Sequence, residues 1–417
     1  MFMKIRSCAQ VLETLVQAGE EGRMPWVLLR PRTGDEQTVF EGDFDFLVDA
    51  RRFDEILETV FTVCQAAGIS FIVRQSAAFK RQIELLDAGG GRVTLELWPH
   101  AEFRLHADSG SLTRAALDYS VYEATPAAQR PGLLAAMFIL HLHHKQKDLQ
   151  ADQVQTRLDH FLEEPQLAPP LRDILAALRD GKADLQQGHA RALEYLRAQR
   201  ISWTSPWQLV GARVRRALCN ALRWPAPRTM ALVGPDGSGK TALTDVIRQS
   251  PQGGNLRYRA FKRLFRQPLY YLRRSESRNV RDEKMLWLVL PVAWLNFSLR
   301  CWLTVWAPPT LFDRYFYDYF IRDVRETDRP LRRIGAYDLC TALVPRPQRL
   351  IVATCPADVI HLRKVEMTAD SIDQLYRVYL DQVVRTGVPE TLFCHTGVAL
   401  HASSRQVAAF LGDNGEA

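Results

Sequence analysis

The sequence has few cysteines and no apolar run long enough to cross a membrane. Its 417 residues include seven scattered cysteines without a close pair, which argues against a disulfide framework or a structural zinc site. The uncharged stretch 285–299 is shorter than a membrane span and is interrupted by Pro291, so it indicates a buried core helix. The N-terminal segment reaches acidic residues early and never forms the apolar core of a signal peptide. We therefore expect a cytoplasmic protein.

The composition is that of a globular protein with one basic segment. Hydrophobic residues at 47% and charged residues at 24% exclude a disordered, collagenous or multi-span membrane chain. The net charge is only +7, but ten basic residues stand against three acidic ones between Arg257 and Lys284. Three interpretations of this segment stay open. It could be a solvated loop, it could bind an anionic acceptor, or 257–300 could contact an acidic membrane surface or a lipid-linked substrate. No nucleic-acid-binding module accompanies it, so nucleic acid is not an expected partner.

The order of apolar patterns divides the chain into three parts. Residues 1–110 alternate short apolar runs with one helix, which predicts a small α+β unit. Helical spacing over 111–225, where strand signals stop, predicts a helical region that ends in a proline-containing linker at 220–230. Residues 226–417 alternate strands with helices, which predicts an α/β fold with a parallel sheet covered on both faces. The predicted strands are 26–30, 43–49, 70–74, 81–87 and 92–98 in the first part, and one from 228, 310–313, 349–354 and 390–394 in the last.

A glycine-rich motif follows the first strand of the last part. GPDGSGKT completes the pattern G-x-x-x-x-G-K-[ST] between an apolar strand and a helix. Backbone N–H groups in such a loop wrap a phosphate, and the N-terminus of the next helix adds partial positive charge. In this chemistry Lys240 reaches the β- and γ-phosphates of ATP, and the Thr241 hydroxyl helps to hold Mg²⁺. The predicted cofactor-binding residues are Gly234, Pro235, Asp236, Gly237, Ser238, Gly239, Lys240 and Thr241.

Two later segments carry candidate catalytic residues. LFDRYFYDYFIRD places Asp313 and Arg314 at the carboxyl edge of the sheet, where open α/β folds bind ligands. We expect Asp313 to organise Mg²⁺ or the acceptor, and Arg314 to bind an acceptor phosphate through paired hydrogen bonds. CPADVIHLRKVE predicts a helix whose Arg363 and Lys364 close over the transferring phosphoryl group, although a solvated helix face gives the same pattern.

These segments together resemble a known enzyme family. Over 228–412, the segments GPDGSGKT, DRYFYD, PADVIHLRKVE and LYRVYLDQV resemble, in order and spacing, thymidylate kinase and its relatives among the nucleoside monophosphate kinases. The resemblance implies ATP and Mg²⁺ as cofactors, a P-loop carboxylate at Asp236 that contacts the acceptor nucleotide, and a mobile lid arginine at Arg363 or Lys364. The sequence before DRYFYD shows no obvious thymine pocket, so the identity of the acceptor stays open.

Carboxylates also line two predicted strands of the first part. Asp43 and Asp45 form a D-x-D on one strand and so share a face of the sheet, and Glu96 lies on another strand. Three converging carboxylates could hold Mg²⁺ ions for nucleotidyl transfer, and residues 20–100 resemble the nucleotidyltransferase superfamily. That family usually has a Gly-Ser turn before the D-x-D, whereas here WVLLRPRTGDEQ offers two arginines. An active site and a degenerate, substrate-binding or structural domain both stay open.

The sequence therefore predicts an ATP-dependent phosphotransferase that acts on a small anionic acceptor. A nucleoside monophosphate such as thymidylate is the acceptor that the resemblance implies. A sugar or glycan-lipid phosphate of surface-polysaccharide synthesis is the alternative acceptor, and a non-catalytic, ATP-binding regulatory module is the alternative class. A homodimer is also left open.

Overall fold

The structure of this chain is a computed structural model. The described residues are 7–29, 43–75, 80–104, 114–199, 225–250, 255–260, 308–315, 344–364 and 368–412, with 207, 210, 211, 214, 294, 295, 297–299, 301 and 303. No helix within these residues is long and apolar enough to cross a membrane.

A ten-stranded mixed sheet forms the centre of the described structure. Its order is β1-β2-β5-β4-β3-β12-β11-β8-β10-β9, so N-terminal strands form one half and C-terminal strands the other. The α/β class predicted from the sequence is confirmed. The described strands are β1 (Trp26–Leu28), β2 (Asp43–Val48), β3 (Ser70–Gln75), β4 (Arg81–Leu86), β5 (Arg92–Trp98), β6 (His100–Arg104), β7 (Arg114–Asp118), β8 (Pro225–Val233), β9 (Arg257–Ala260), β10 (Thr310–Asp313), β11 (Arg346–Thr354) and β12 (Glu390–His395).

Helices cover both faces of this sheet. One face shares a core with α1, α2 and α10, and the other face packs against α8 and α11. Helices α4 to α7 pack on one another around a separate core, as the helical spacing of the middle part predicts. The described helices are α1 (Cys8–Glu20), α2 (Phe53–Ala67), α3 (Tyr119–Ala124), α4 (Arg130–Lys145), α5 (Asp152–Glu163), α6 (Pro169–Arg179), α7 (Leu185–Ala198), α8 (Lys240–Gln249), α9 (Ala357–Arg363), α10 (Ala369–Thr386) and α11 (Leu400–Gly412).

The C-terminal half of the sheet is parallel throughout its described strands. Strand β8 lies between β10 and β11, and β9 and β12 pair with these two on the outside. Parallel pairing brings the carboxyl ends of all five strands to one edge of the sheet. The glycine-rich motif and the DRY segment both follow strands at that edge, because β8 and β10 are neighbours in register.

The sheets of the first and last parts are joined into one. Strand β3 pairs antiparallel with β12, with Phe71 opposite Phe393. The buried Ser70 hydroxyl accepts the His395 N–H at 2.8 Å and donates to Gln406 Oε1 at 2.7 Å. Apolar stacking reinforces the joint, since the rings of Phe71 and Phe393 lie 4.6 Å apart. The two parts, which the sequence divides at 110 and 226, therefore share one backbone hydrogen-bond network.

A row of ion pairs also crosses this joint. Glu84 contacts Arg92 at 3.1 Å and Arg74 at 3.2 Å. Arg74 reaches Glu390 at 3.6 Å, and Glu390 contacts Arg349 at 2.9 Å. The row passes from β5 through β4, β3 and β12 to β11, so every member meets a partner of opposite sign on a neighbouring strand.

Two short strands and one boundary correct the sequence predictions. The prediction that strands stop near residue 110 is wrong, because β7 pairs antiparallel with β6 as a separate two-stranded sheet. Segment 114–118 (RAALD) is short and charged at both ends, so its pattern resembles a loop. Strand β8 begins at Pro225, inside the predicted linker, and its register with β11 shifts between Pro347 and Arg349. Proline is tolerated there because an irregular strand end loses little of its hydrogen-bond ladder.

Candidate phosphate-binding site

The glycine-rich motif forms a tight loop between β8 and α8. Gly234, Gly237 and Gly239 have φ angles of 145°, 89° and 82°, which L-residues with side chains rarely adopt. A Cβ on Gly234 would lie 2.6 Å from the Ala353 carbonyl oxygen, so no side chain fits at that position. The loop can therefore expose backbone N–H groups without obstruction, as the binding of a phosphate requires.

The Lys240 side chain is buried within this loop. Its Nζ donates to the carbonyl oxygens of Gly234 at 2.7 Å and Pro235 at 2.6 Å. It also lies 3.5 Å from Asp236 Oδ1. The ammonium group is thus held by the loop itself, where a phosphate entering the loop would meet it.

The loop carboxylate links β8 to the DRY segment of the neighbouring strand. Asp236 Oδ1 accepts a charged hydrogen bond from Arg314 Nη2 and so faces both Arg314 and Lys240. Arg314 has a positive φ of 74°, and its backbone N–H donates to the Leu232 carbonyl at 2.8 Å. This bond fixes the end of β10 against β8 and turns the guanidinium toward the loop. The structure therefore brings Asp236, Lys240 and Arg314 together.

Asp313 has a partner that the sequence did not reveal. Tyr258 on β9 donates its hydroxyl to Asp313 Oδ2 at 2.6 Å. Burial raises the pKa of Tyr258, and its hydrogen bond to the Asp313 carboxylate raises it further. The sequence placed Tyr258 in a basic segment for which a solvated loop was one interpretation, but Arg257–Ala260 is an edge strand parallel to β10. Only the alternation of R-Y-R-A could have indicated it.

Thr241 and Asp313 are two described residues that offer oxygen ligands for Mg²⁺ at this site. Thr241 is exposed in the first turn of α8, directly after Lys240. Asp313 is half-buried at the end of β10, the strand beside β8. A hydroxyl and a carboxylate are oxygen ligands that suit Mg²⁺, which keeps several waters of its own. These residues fit the ion that the motif implies.

Arg363 lies beside the glycine-rich loop 234–239, which we call the phosphate loop. Its Nη2 donates to the Thr396 carbonyl at 3.1 Å, and its Nη1 lies 3.5 Å from the Gly237 carbonyl. Thr396, which sequence reasoning missed, approaches the Ser238 carbonyl with its hydroxyl at 2.7 Å. The loop is therefore clamped from β12 as well as from α9. Lys364 directly follows α9, and Glu366 of the same RKVE segment lies outside the described residues.

His395 ends β12 beside this clamp. Its ring is buried, and neither ring nitrogen has a hydrogen-bond partner within the described ranges. Burial lowers the pKa of His395 to about 4, and the nearby charge of Arg363 acts in the same direction. The imidazole is therefore neutral at pH 7 and forms part of the core under the loop.

The N-terminal carboxylates are brought together in part. Asp45 and Glu96 are register partners on the parallel strands β2 and β5, and both are buried. Trp98 Nε1 donates to Asp45 Oδ1 at 2.8 Å, while Glu96 accepts hydrogen bonds from Lys80 and from Gln82, the latter at 2.9 Å. Burial by itself raises the pKa of Glu96, but the hydrogen bonds from Lys80 and Gln82 outweigh it and leave the pKa lowered. Glu96 is therefore an anion already paired with a lysine.

The third predicted ligand lies further out on the same strand. Asp43 is exposed at the start of β2, two residues before Asp45. Within the described ranges, no three His, Cys, Asp or Glu side chains are grouped so that they could hold a metal ion. The metal role of Asp43, Asp45 and Glu96 stays a prediction. The two arginines of WVLLRPRTGDEQ, Arg30 and Arg32, lie outside the described residues.

Comparison with known proteins adds no family to this geometry. Neither a scan against protein-family models nor a search of curated proteins gave a match to this chain. The case for a function therefore depends on the motif, its spacing and the contacts described above.

Proposed function

We propose that this chain is an ATP-dependent phosphotransferase that passes the γ-phosphoryl group of ATP to an anionic acceptor. One observation carries the proposal: cationic side chains from two neighbouring strands meet at one carboxylate beside a phosphate loop. Lys240 comes from the loop after β8, Arg314 from the end of β10, and Asp236 contacts both. A single phosphate site needs only the loop cation. A second cation beside it suits a donor phosphate and an acceptor anion held close together.

The arrangement of strands supports the same reaction class. In chain order the five parallel strands are β8, β9, β10, β11 and β12, but β8 lies in the middle of them. After β8 the chain forms β9 and β10 on one side of it, and then β11 and β12 on the other side. Ligands of open α/β sheets bind where the strand order reverses in this way. The phosphate loop follows β8 at this point. This strand order agrees with the resemblance of 228–412 to thymidylate kinase. We therefore take thymidylate kinase-like enzymes as the nearest functional type.

Each residue has a role that follows from its position. The loop N–H groups and the N-terminus of α8 bind the phosphates of ATP, and Lys240 neutralises charge on the transferring group. When bound, Mg²⁺ would supply positive charge that offsets the charge of the phosphates, and Thr241 and Asp313 would help to hold it. Arg314 positions the acceptor anion. Arg363, on the helix beside the loop, supplies the lid charge that excludes water.

The nature of the acceptor divides the proposal into two versions. A nucleoside monophosphate such as thymidylate follows from the resemblance. A sugar or glycan-lipid phosphate fits the same cation pair, because Arg314 recognises the anion rather than the group that carries it. A regulatory module that binds ATP without transfer is the competing class. It predicts ATP binding and slow hydrolysis but no phosphorylated acceptor.

A screen of acceptors by mass spectrometry separates these readings. The full chain is incubated with ATP, Mg²⁺ and panels of nucleoside monophosphates, sugar phosphates and lipid-linked phosphates, and products heavier by one phosphoryl group are sought. Lys240→Ala should lower transfer by about 100-fold or more, because a preorganised charge on the transferring group is lost. Lys182→Ala is the control, since Lys182 is exposed and pairs only with Asp180 among the described contacts.

Variants of Asp313 and Arg314, which we call the acceptor edge, test the second half of the proposal. Asp313→Asn and Arg314→Ala should reduce transfer by a much larger factor than they reduce ATP affinity, because these residues act at the acceptor and the metal. Binding of ATP is measured by calorimetry beside the transfer assay. Equal losses in binding and transfer would remove the acceptor role. Transfer by Lys240→Ala at the wild-type rate would show that the loop is not the catalytic centre.

A further inference from the structure

A row of exposed leucines lies on a helical segment next to the acceptor edge. Leu295, Leu299 and Leu303 are 52%, 56% and 69% exposed. The described residues between 294 and 303 are helical, and side chains four residues apart share one face of a helix. We call these three residues the leucine stripe. Single exposed leucines need no explanation, but three in one row mark a contact surface.

The opposite face of the same segment is anchored in the core. Phe297 is buried, and its ring lies 4.8 Å from the Tyr315 ring and 6.2 Å from the Phe312 ring. Cys301 Sγ lies 3.7 Å from the Tyr315 hydroxyl. Phe297 and Cys301 alternate with the stripe along the segment, so anchoring them holds the stripe outward. Phe312 and Tyr315 flank Asp313 and Arg314, which places the stripe beside the acceptor edge.

The charge of the preceding sequence selects the partner. Ten basic residues stand against three acidic ones between Arg257 and Lys284, whereas 285–299 carries no charge. A second copy of this chain would carry the same basic sequence and the same net charge of +7, which opposes pairing of two copies. A bilayer with anionic lipids offers both an apolar interior for leucine side chains and negative headgroups that attract a positively charged chain. No helix of the described residues spans a membrane, so the contact would be peripheral.

We infer that the leucine stripe docks this protein on an anionic lipid surface. The stripe enters the headgroup region while Phe297 and Cys301 keep the segment attached to the sheet. Asp313 and Arg314 then lie at the level of the headgroups. If the proposed phosphotransfer is correct, and this step rests on it, the acceptor is a lipid-linked anion that Arg314 binds at the membrane surface.

Vesicle sedimentation tests the contact without any catalytic readout. The full chain is mixed with vesicles of phosphatidylcholine containing about 30% phosphatidylglycerol, and with vesicles of phosphatidylcholine alone. We expect binding to the anionic vesicles that weakens as NaCl is raised, and much weaker binding to the neutral ones. The triple variant Leu295→Ser, Leu299→Ser, Leu303→Ser should bind at least about tenfold more weakly, because one well-inserted leucine is worth about a factor of ten.

Matched variants make the result decisive. The double variant Leu362→Ser, Leu400→Ser removes exposed leucines from other helices, 88% and 53% exposed, and should bind like the wild type. If the triple variant fails to fold by circular dichroism, Leu303→Ser alone should still weaken binding by up to about tenfold, since it removes the most exposed member.

Three results would overturn the inference. They are no binding of the wild type to anionic vesicles, equal binding by the triple variant and the wild type, and a wild-type dimer in light scattering that the triple variant dissociates. Lys240→Ala should bind vesicles like the wild type. Vesicle binding without phosphotransfer would therefore refute the proposed function and leave the membrane contact standing, while phosphotransfer without vesicle binding would do the reverse.

Discussion

His395 should make the stability of this protein depend on pH in a defined window. Its side chain is 1% exposed, and its pKa falls from 6.5 to about 4 on folding. Between these values the unfolded chain binds a proton that the folded chain does not, so stability falls as the pH falls from about 6.5 to 4. At 1.36 kcal/mol per pKa unit, the loss amounts to about 3 kcal/mol. Well above pH 6.5 the histidine is neutral in both the folded and the unfolded chain, and His395 contributes no pH dependence.

The variant His395→Leu isolates this effect. Leucine suits the site because neither ring nitrogen has a hydrogen-bond partner within the described ranges. Urea unfolding followed by circular dichroism at pH 7, 6, 5 and 4 gives the free energy of unfolding of both proteins. Other groups titrate in both and cancel in the difference. We expect the wild type to lose about 3 kcal/mol relative to the variant between pH 7 and pH 4.

His401 provides the matched control. It is an exposed histidine on α11, so His401→Gln should leave the pH dependence of the wild type unchanged. A difference between wild type and His395→Leu that stays constant over this pH range would contradict the argument, because His395 would then titrate alike in the folded and unfolded chains.

Three further predictions concern the joint between the halves of the sheet and the N-terminal carboxylates. Ser70→Ala should lower the free energy of unfolding by about 2–4 kcal/mol in urea titrations, since it leaves a buried N–H and a buried amide oxygen without their partner; a loss below about 0.5 kcal/mol would count against the joint. Glu84→Gln should cost about 2–3 kcal/mol by the same measurement because Arg92 loses its carboxylate partner and Arg74 keeps only Glu390, whereas Glu58→Gln, whose partner Arg377 is exposed, should cost less than about 1 kcal/mol. Calorimetry of the full chain should detect Mg²⁺ binding that Asp45→Asn weakens and Lys80→Met strengthens, because Lys80 competes for Glu96; no difference among the three proteins would leave the N-terminal part as a scaffold.

Local features were largely readable from the sequence. The predicted strand 92–98 and the predicted strand 310–313 coincide with β5 and β10, because apolar and β-branched runs bounded by turn residues fix a strand without help from distant residues. The phosphate loop was readable for the same reason. Its glycines, Lys240 and Thr241 are contiguous, and their conformation depends on the strand and helix that flank them.

The tertiary structure alone decided which strands meet and which side chains face one another. Tyr258 reaches Asp313 only because β9 pairs with β10, and Lys80 neutralises Glu96 only because β4 and β5 are neighbours. The pairing of β3 with β12 joins residues more than three hundred positions apart, as the bond between Ser70 and His395 shows with a separation of 325. Every strand edge offers the same backbone donors and acceptors, so a local pattern cannot say which edges pair. That choice is made by the burial of whole faces, to which distant residues contribute together.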